Sequence, residues 1–329
     1  MNHFDLGKVT VSEAADHTLQ QLGLSVDTFL NRYRNQDWGD VSEHFQDAND
    51  DALNIGLMIR ARYLLGKDEE NEDIFLLIET AADRSHTVVC LRSDRMFVET
   101  DILEGYDQWA ETYDRESNPL INTEDPIINR ILDELFFTQV LDIGTGTGRW
   151  ALRLAQRGAQ VTAIDQSPEM LAMAKAHAAA KGLEIDFHQL SLWDTLPFQP
   201  EQFDLITSGL MFSHIDDLHG AFNKFYGLLA PGGKLLFSAF HPDALVHGWR
   251  TAIPRPGTLH ALHNSENSRV DYIEALADAG FHVLKFIDIP IHEAPPETMP
   301  PTMNRAYRFL NICLIVLAEK PDEEPKTTP

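Results

Sequence analysis

The segment that most constrains the fold is VLDIGTGTGRW, residues 140–150. An apolar, strand-like run leads into a loop containing Gly144, Gly146 and Gly148, and a helix-like sequence follows directly. Glycine permits a sharp turn with positive φ and lets a ligand approach the backbone closely. Unpaired N–H groups at the start of the following helix favour an anionic or polar ligand. The segment therefore predicts a strand–loop–helix unit that binds a nucleotide.

The loop departs from the dinucleotide-binding pattern G-x-G-x-x-G, in which the sixth position is glycine. Arg149 occupies that position, and the third glycine comes one residue earlier. Asp142 precedes Gly144 by two residues, where a carboxylate opposes a pyrophosphate but suits a ligand with a positive charge. Asp165 ends the next predicted strand, where its two oxygens can accept both hydroxyls of a ribose. A NAD-dependent oxidoreductase is therefore the weaker interpretation.

Hydrophobic periodicity divides the chain near residue 98. The first part contains two predicted helices and then three predicted strands joined by short polar turns, at residues 13–22, 26–35, 57–65, 73–80 and 86–93. This order predicts an antiparallel meander with helices on one face, in a small N-terminal α+β domain over residues 1–98. Three roles for this accessory domain stay open: docking on the second domain, self-association, or bordering its pocket.

Residues 99–320 alternate predicted strands with predicted helices. Ser167 and Ser268 are typical N-cap residues for two of these helices. The alternation predicts an α/β fold with a doubly wound, mostly parallel seven-stranded sheet, in which ligands bind at the carboxyl ends of the strands. The tail, residues 321–329, is predicted to be disordered.

The composition limits the partners. The chain has 51 acidic and 26 basic residues, a net charge of −25, which argues against nucleic acid as the main partner. No apolar run is long enough for a membrane helix and the N-terminus lacks a signal-peptide core, so we expect a cytoplasmic protein without membrane contact. Cys90 and Cys313 are the only cysteines, and the histidines at 241, 247, 260 and 263 match no zinc pattern, so no metal is expected.

Several motifs occur in an order that resembles the class I S-adenosylmethionine-dependent methyltransferases, in particular the small-molecule group related to ubiquinone, menaquinone and malonyl-carrier-protein methyltransferases. The resemblance covers about residues 104–320. It rests on YDQWAETYD (106–114), VLDIGTGTG (140–148), VTAIDQSPEML (161–171), LPF (196–198), FDLITSGLMFSHIDD (203–217), LLAPGGKLLFS (228–238) and DYIEALADAGF (271–281). Residues 1–98 are similar to short bacterial and plasmid-encoded proteins of unknown function, which implies no activity.

The resemblance implies S-adenosyl-L-methionine as the cofactor. Gly144, Thr145 and Gly146 would line its methionine part, with Asp142 near the amino group and Asp165 on the ribose. The full set of cofactor-binding residues implied is Tyr113, Asp142, Gly144, Thr145, Gly146, Asp165, Gln166, Leu192, Trp193 and Ser208.

On the adenine side, the resemblance places Gln166 against one face of the ring. Leu192 stands where many relatives have an aspartate that accepts from the adenine amine. Three roles stay open for Trp193: stacking on the adenine, donating its backbone N–H, or packing in the core.

Tyr106, Trp109 and Tyr113 lie on one face of a predicted helix, at i, i+3 and i+7. The face either packs on the core or, as in the relatives, closes over the cofactor. The resemblance implies that Tyr113 contacts the cofactor carboxylate and that Tyr106 and Trp109 wall the substrate pocket.

Two histidines are candidates for a catalytic proton acceptor. His214 follows the fourth predicted strand and His241 follows the fifth, at the end of the sheet that faces the substrate. A structural role is the alternative for His214. The sequence thus predicts a methyltransferase for a small molecule or a carrier-bound acid. The alternatives are an RNA or tRNA-base methyltransferase and a regulatory protein that binds S-adenosylmethionine without catalysis.

Overall fold

The computed structural model describes residues 4–41, 46, 49–50, 52–54, 58–115, 118–246, 249–291 and 310–322. The chain forms two compact units. Unit 1 comprises Met1–Thr100 and Ala252–Leu262, and unit 2 comprises Asp101–Thr251 and His263–Pro329. Most of the tail predicted to be disordered, residues 323–329, lies outside the described residues.

Unit 1 contains a four-stranded sheet with the order β1-β4-β3-β2. Strands β2, β3 and β4 form an antiparallel meander, and β1, which the sequence analysis did not predict, pairs in parallel with β4. The elements are β1 (Lys8–Val11), α1 (Glu13–Gln21), α2 (Val26–Arg34), β2 (Ile59–Lys67), β3 (Asp73–Thr80) and β4 (His86–Leu91).

The two helices of unit 1 begin at side-chain caps. The hydroxyl of Ser12 accepts from the N–H of Ala15, and that of Ser25 accepts from the N–H of Asp27. Such caps satisfy N–H groups that the helix itself leaves unpaired. The apolar faces of the helices then pack with the sheet in one core, with Leu19, Phe29, Tyr33, Trp38, Tyr63 and Ile78 among its buried members.

A second sheet of unit 1 has the order β11-β12-β5, with β5 at Met96–Thr100, β11 at Ala252–Arg255 and β12 at Thr258–Leu262. The sequence analysis assigns residues 252–262 to the second domain. In the structure β12 pairs in parallel with β5, from Thr258 opposite Met96 to Leu262 opposite Thr100. This pairing, which joins segments about 160 residues apart in the chain, explains why residues 252–262 belong to unit 1.

Unit 2 is an α/β unit around a seven-stranded sheet with the order β13-β14-β10-β9-β6-β7-β8. Strands β10, β9, β6, β7 and β8 run in parallel, and β14 is antiparallel to both of its neighbours. The strands are β6 (Gln139–Ile143), β7 (Gln160–Asp165), β8 (Asp186–Gln189), β9 (Phe203–Ser208), β10 (Leu229–Phe240), β13 (His282–Pro290) and β14 (Asn311–Glu319).

The first two helices of unit 2 precede β6 in the chain, and the others lie between its strands. The helices are α3 (Ile102–Tyr113), α4 (Pro119–Asp133), α5 (Arg149–Gln156), α6 (Pro168–Lys181), α7 (Leu218–Leu228), α8 (Pro242–Val246) and α9 (Arg269–Asp278). Two apolar clusters form the core: one includes Phe212, Phe222 and Phe237, and the other includes Trp150 and Ile128. Within the described part of the chain, no helix combines the length and the apolar composition needed to cross a bilayer.

The sheet order places β6 inside the sheet, between β9 and β7. The chain continues from β6 to β7 and β8 on one side and returns to β9 and β10 on the other. Such a reversal creates a crevice at the carboxyl ends of the strands, where ligands of doubly wound sheets bind. The loop after β6, residues 144–148, lies at this point.

Candidate functional site

The glycine loop, residues 144–148, needs its glycines for two different reasons. Gly144, Gly146 and Gly148 have φ of +66°, +56° and +88°, a region that side chains with a Cβ rarely adopt. A Cβ on Gly144 would lie 2.8 Å from the side chain of Met211, which would have to move to admit it. A Cβ on Gly146 would meet no atom within 4 Å. The loop is therefore packed at Gly144 and open at Gly146.

Asp165, the last residue of β7, is tied to this loop through the backbone. Its Oδ2 accepts from the N–H of Gly146 at 2.7 Å, and its Oδ1 accepts from the N–H of Ser167 at 2.9 Å. Burial raises the pKa of the Asp165 carboxyl, and the backbone N–H bonds oppose that rise. A carboxylate has about four lone-pair positions, so Asp165 can still accept two hydroxyls of a ligand.

Asp142, in β6, is buried, and each of its carboxylate oxygens accepts a hydrogen bond. Its Oδ2 accepts from the hydroxyl of Thr145 and its Oδ1 from the hydroxyl of Thr207, each at 2.6 Å. Burial raises the pKa of Asp142 to about 6, because the charged form loses hydration that the two hydroxyls replace only in part. Asp142 thus holds the start of the glycine loop and places a carboxyl beneath it.

A cavity of about 200 Å³ lies in unit 2 at the carboxyl ends of the strands. A neighbouring cavity of about 30 Å³ shares four lining residues with it and is otherwise lined by Asp142, Thr145, Thr147, Arg149 and Trp150. Among the residues singled out from the sequence, the larger cavity brings together Tyr106, Tyr113, Gly144, Gly146, Asp165, Gln166, Leu192, Trp193 and His214.

The sequence analysis did not predict several apolar walls of the larger cavity, among them Ile102, Met170 and Met211. Met211 had a usable signal: it lies in the same short segment as His214, directly after β9. Ile102 and Met170 carry no such signal, because their positions depend on how α3 and α6 pack.

Tyr106 and His214 meet in this cavity. The hydroxyl of Tyr106 lies 2.8 Å from Nε2 of His214, and Nδ1 of His214 is bonded to the carbonyl oxygen of His263. A carbonyl oxygen only accepts, so Nδ1 carries the proton and Nε2 accepts from Tyr106. Burial lowers the pKa of His214 to about 4, so the imidazole is neutral at pH 7. Nε2, the nitrogen available for proton uptake, is therefore occupied by the Tyr106 hydroxyl.

Tyr113 lines both cavities. Burial raises the pKa of its hydroxyl to about 12. Trp109, predicted to wall the substrate pocket, is not among the described residues that line either cavity. It is 8% exposed, stacks with Tyr106 at 6.1 Å between ring centroids and meets Tyr113 edge-on at 5.0 Å. Trp109 therefore supports the two tyrosines.

His241, the second candidate proton acceptor, lies elsewhere. It is buried, its Nδ1 accepts from the N–H of Asp243 at 3.0 Å and its Nε2 lies 3.0 Å from Oδ1 of Asp288. Both ring nitrogens are thus engaged, and His241 is not among the lining residues of either cavity. The imidazole joins the end of β10 to β13, and in this arrangement neither ring nitrogen is free to take a substrate proton.

Ser208, included in the predicted cofactor set, is the last residue of β9 and is fully buried. Its hydroxyl has no hydrogen-bond partner among the described residues, and it lines neither cavity. The next residue, Gly209, lines both. The structure therefore places the backbone after β9, rather than the Ser208 side chain, at the site.

On the other side of the cavity, Leu192 is buried and Trp193 is 49% exposed, so Trp193 is not a core residue. The N–H of Trp193 donates to the hydroxyl of Ser191 at 3.2 Å. Lys224 holds this loop, since its Nζ donates to the carbonyl of Leu192 at 2.7 Å and lies 5.6 Å from the Trp193 ring centroid. The exposed ring of Trp193 is available for stacking.

Arg149 occupies the position that the third glycine has in dinucleotide-binding loops, and acidic side chains hold its guanidinium. Its guanidinium pairs with the carboxylates of Glu124 and Asp125 in α4, and Arg153 pairs with Asp125 at 2.7 Å. Burial raises the pKa of Glu124, and the adjacent Arg149 opposes that rise. The sequence analysis did not predict this network, which fixes α5 and hence the end of the glycine loop.

Helix α3 is attached to the loop elements by polar contacts. The hydroxyl of Ser167 donates to Asp107 at 2.5 Å, and the hydroxyl of Thr147 donates to Asp114 at 2.8 Å. These bonds hold the helix that carries Tyr106 beside the carboxyl ends of β6 and β7.

Among the described residues, no group of three or more His, Cys, Asp or Glu side chains is arranged to hold a metal ion. His247 lies outside the described residues.

Comparisons with known proteins match parts of this chain to methyltransferases. Residues 140–233 match the family model described as a methyltransferase domain. "Ubiquinone biosynthesis O-methyltransferase" of Xanthomonas euvesicatoria is 38% identical over 108 residues, 33% of this chain and 45% of that protein. The protein of the same name from Stutzerimonas stutzeri is 36% identical over 141 residues, 42% of this chain and 61% of that protein. "Demethylmenaquinone methyltransferase" of Thermus thermophilus is 41% identical over 106 residues, 32% and 48% of the two chains.

The chain thus spans about half the length of the curated relatives it matches. A solved structure of an S-adenosylmethionine dependent methyltransferase from Mesorhizobium loti has 22% identity and a TM-score of 0.47, over 60% of this chain and 97% of that one. The match over residues 140–233 supports the class I methyltransferase resemblance for the segment that contains the glycine loop and Asp165.

Proposed function

We propose that unit 2 is an S-adenosylmethionine-dependent methyltransferase that acts on a small molecule. The observation that carries the proposal is the joint placement of an open glycine loop and Asp165 on one cavity at the switch point of the sheet. The match of residues 140–233 to a methyltransferase domain supports it independently.

The residues present fit this cofactor. Gly146 leaves open space at the loop, and Asp165 has free lone pairs for the ribose hydroxyls. Asp142 and Tyr113 line the small cavity beside the loop, where they would meet the methionine part. Gln166 and the half-exposed Trp193 border the side proposed for the adenine. When bound, the cofactor supplies a methyl group on a positively charged sulfur.

The chain's own residues would orient the acceptor and exclude water from the transfer. Methyl transfer is an in-line displacement, so the acceptor atom must lie about 3–3.5 Å from the methyl carbon. Tyr106, Met211 and His214 line the part of the cavity nearest the end of β9 and α3. Their mixture of apolar and hydroxyl groups suits a small organic acceptor.

The acceptor class is taken from charge and from the relatives' names. Among the described residues that line the larger cavity, none is Lys or Arg, and the chain carries a net charge of −25. Both facts disfavour an RNA or tRNA-base acceptor, which needs cations for its phosphates. The O-methyltransferase and demethylmenaquinone methyltransferase names favour a small acceptor of that general kind. Self-association through the N-terminal unit and a cytoplasmic location stay predictions.

Calorimetry with S-adenosylmethionine and S-adenosylhomocysteine, on the full chain and on Asp165→Ala, tests the cofactor. We expect binding to the natural sequence and at least tenfold weaker binding to the variant, because the ribose loses its acceptor. The exposed Asp133→Asn variant is the control and should bind as the natural sequence does. Equal affinity in Asp165→Ala, or no binding to the unaltered chain, would overturn the proposal. Cofactor binding without transfer to any acceptor would favour the regulatory alternative.

A further inference from the structure

We propose that Tyr106 is a catalytic residue that receives the proton of a neutral hydroxyl acceptor, and that His214 positions and polarises Tyr106. The inference rests on the proposed methyltransferase function and names the chemistry of its acceptor. It changes the expected role of His214, which acts through Tyr106 instead of touching the acceptor.

The directions of the two hydrogen bonds of His214 show which lone pairs of Tyr106 are left to accept a proton. The carbonyl of His263 can only accept, so His214 holds its proton on Nδ1 and presents a lone pair at Nε2. The Tyr106 hydroxyl donates to that lone pair at 2.8 Å. Since the hydroxyl proton is committed to His214, the remaining lone pairs of Tyr106 are the ones left to accept from an acceptor hydroxyl in the cavity.

The carbonyl that sets the tautomer is itself held in place. The N–H of Ser265 donates to the carbonyl of Ser213 at 2.8 Å, and the ring of His263 is bonded to Asp216 at 2.9 Å. These contacts fasten the segment after residue 262 to the segment that carries His214. The other tautomer of His214 would lose the bond to His263 and would reverse the bond to Tyr106, whose hydroxyl would then accept from Nε2–H.

Packing fixes the Tyr106 ring. It stacks with Trp109 at 6.1 Å between centroids and meets the ring of His214 edge-on at 5.6 Å. Trp109 is buried, so it provides an immobile support. The position of the Tyr106 hydroxyl is therefore set on two sides, as precise proton transfer requires.

The charged residues that line the larger cavity indicate which methyl acceptor fits it. Asp165 is the only Asp, Glu, Lys or Arg among the described residues that line the larger cavity. A carboxylate acceptor would enter without a Lys or Arg side chain among these residues to pair with, and would face the Asp165 carboxyl group. A neutral hydroxyl needs no counter-ion and brings the proton that Tyr106 is arranged to accept. The carrier-bound or free acid is therefore the less suitable acceptor.

The proposed step balances. The acceptor oxygen forms a bond to the methyl carbon while the carbon–sulfur bond breaks, and the electron pair of that bond stays on sulfur. The acceptor proton moves to Oη of Tyr106, and the former Tyr106 proton moves to Nε2 of His214. His214 is then cationic, and burial disfavours the cation, so the proton is released to water afterwards. A hydroxyl becomes strongly acidic as its oxygen gains the methyl group, so a weak base suffices.

Catechol and benzoate are the probes, with radiolabelled S-adenosylmethionine as donor and the full chain as enzyme. We expect methylation of catechol and none of benzoate. Tyr106→Phe should lower kcat on catechol by about 100-fold with little change in the dissociation constant of S-adenosylmethionine. His214→Gln, whose amide oxygen can still accept from Tyr106, should retain more activity than His214→Leu. Tyr226→Phe is the control and should keep full activity, because Tyr226 packs on Phe281 and is not among the described residues that line the cavity.

Nitrogen-15 NMR of the histidines provides a readout that needs no acceptor. We expect His214 to be neutral with its proton on Nδ1, and Tyr106→Phe to shift the Nε2 signal while the Nδ1–H stays. Full activity of Tyr106→Phe, equal methylation of benzoate, methylation of neither probe, or the opposite tautomer would each overturn the inference. The proposed function fails separately, by loss of S-adenosylmethionine binding to the unaltered chain.

Discussion

The backbone N–H of Gly146 donates a 2.7 Å hydrogen bond to Oδ2 of Asp165, 19 residues further along the chain. The bond joins the loop after β6 to the end of β7, and both residues line the same cavity. The glycine loop and Asp165, the two sequence signals for nucleotide binding, are therefore joined at one cavity. Each can be perturbed without removing the other.

Gly146→Ala should weaken S-adenosylmethionine binding much more than it weakens the fold. At φ of +56° the added Cβ costs about 1–2 kcal/mol of folding free energy. The Cβ meets no protein atom within 4 Å, so it points into space that a ligand can use. Calorimetry should show at least a tenfold higher dissociation constant, and urea unfolding only the backbone cost.

Gly158→Ala is the matched control for that variant. Gly158 also has positive φ, +88°, and also has no atom within 4 Å of an added Cβ. It lies beyond α5 and lines neither cavity. A similar loss of stability with unchanged cofactor binding is expected. If both variants lose cofactor affinity equally, the open side of Gly146 is not the binding surface.

Asp142 should make the folded state less stable as pH rises. Its pKa is raised from about 3.8 to about 6 by burial, so the folded state holds the proton more tightly than the unfolded state. This contribution to stability is present at low pH and is lost as pH rises through the window between those two values. Relative to Asp142→Asn, the natural protein should lose about 1 kcal/mol between about pH 5 and about pH 7.5.

The difference between the two unfolding curves is the quantity to measure, because groups common to both proteins cancel in it. His214 is one such group, since its lowered pKa makes stability rise with pH through an overlapping window. The exposed Asp133→Asn variant controls for loss of one charge. A difference that is constant with pH for Asp142→Asn would contradict the prediction.

Local signals in the sequence located the glycine loop and Asp165, because positive φ and the end of a strand are properties of short segments. The partners of these residues are not local. Arg149 pairs with Glu124, 25 residues earlier, and His241 bonds Asp288, 47 residues later. The local sequence around a histidine that follows a strand is the same whether the side chain faces a cavity or is buried against another strand. Sequence reasoning therefore could not show that His241 is buried against Asp288 and outside the described lining of both cavities.

The spacing of the aromatic residues in α3 likewise predicted that they share one face of the helix, but not which of them lines the cavity. Tyr106, Trp109 and Tyr113 do contact one another. Which of them reaches the cavity depends on the tilt of the helix against α6, which no periodicity contains. Strand β1 was missed for a related reason: four residues are too short to show alternation, and the pairing with β4 spans about 80 residues.

Arg149→Met should destabilise unit 2 strongly. It removes the cation from Glu124, which is fully buried, and an uncompensated buried charge costs about 3–5 kcal/mol. Adding Glu124→Gln should recover part of the loss, since the amide carries no charge. Arg157→Met, which breaks the more exposed pair with Asp133, should cost about 0–1 kcal/mol. Urea unfolding measures all three, and equal losses in Arg149→Met and the double variant would contradict the charge argument.

Gly257→Ala should destabilise unit 1, because residues 252–262 are part of it. Gly257 has φ of +72°, and its added Cβ would lie 2.7 Å from Val88 in β4. Its N–H donates at 2.8 Å to the buried Glu79, a bond that a shift of the turn would lengthen. Gly23→Ala, with φ of +66° and no atom within 4 Å, carries the backbone cost alone and is the control.

Hydrogen exchange followed by mass spectrometry separates the two effects of Gly257→Ala. The clash should raise exchange in β3, β4 and β5, the strands that contact the turn or pair beside it. Gly23→Ala should raise exchange near the end of α1 and leave those strands protected. A methyl group 2.7 Å from Val88 cannot be accommodated unless Val88 or the turn at Gly257 moves. Unchanged exchange in β3, β4 and β5 of Gly257→Ala would therefore mean that residues 252–262 do not stabilise these strands.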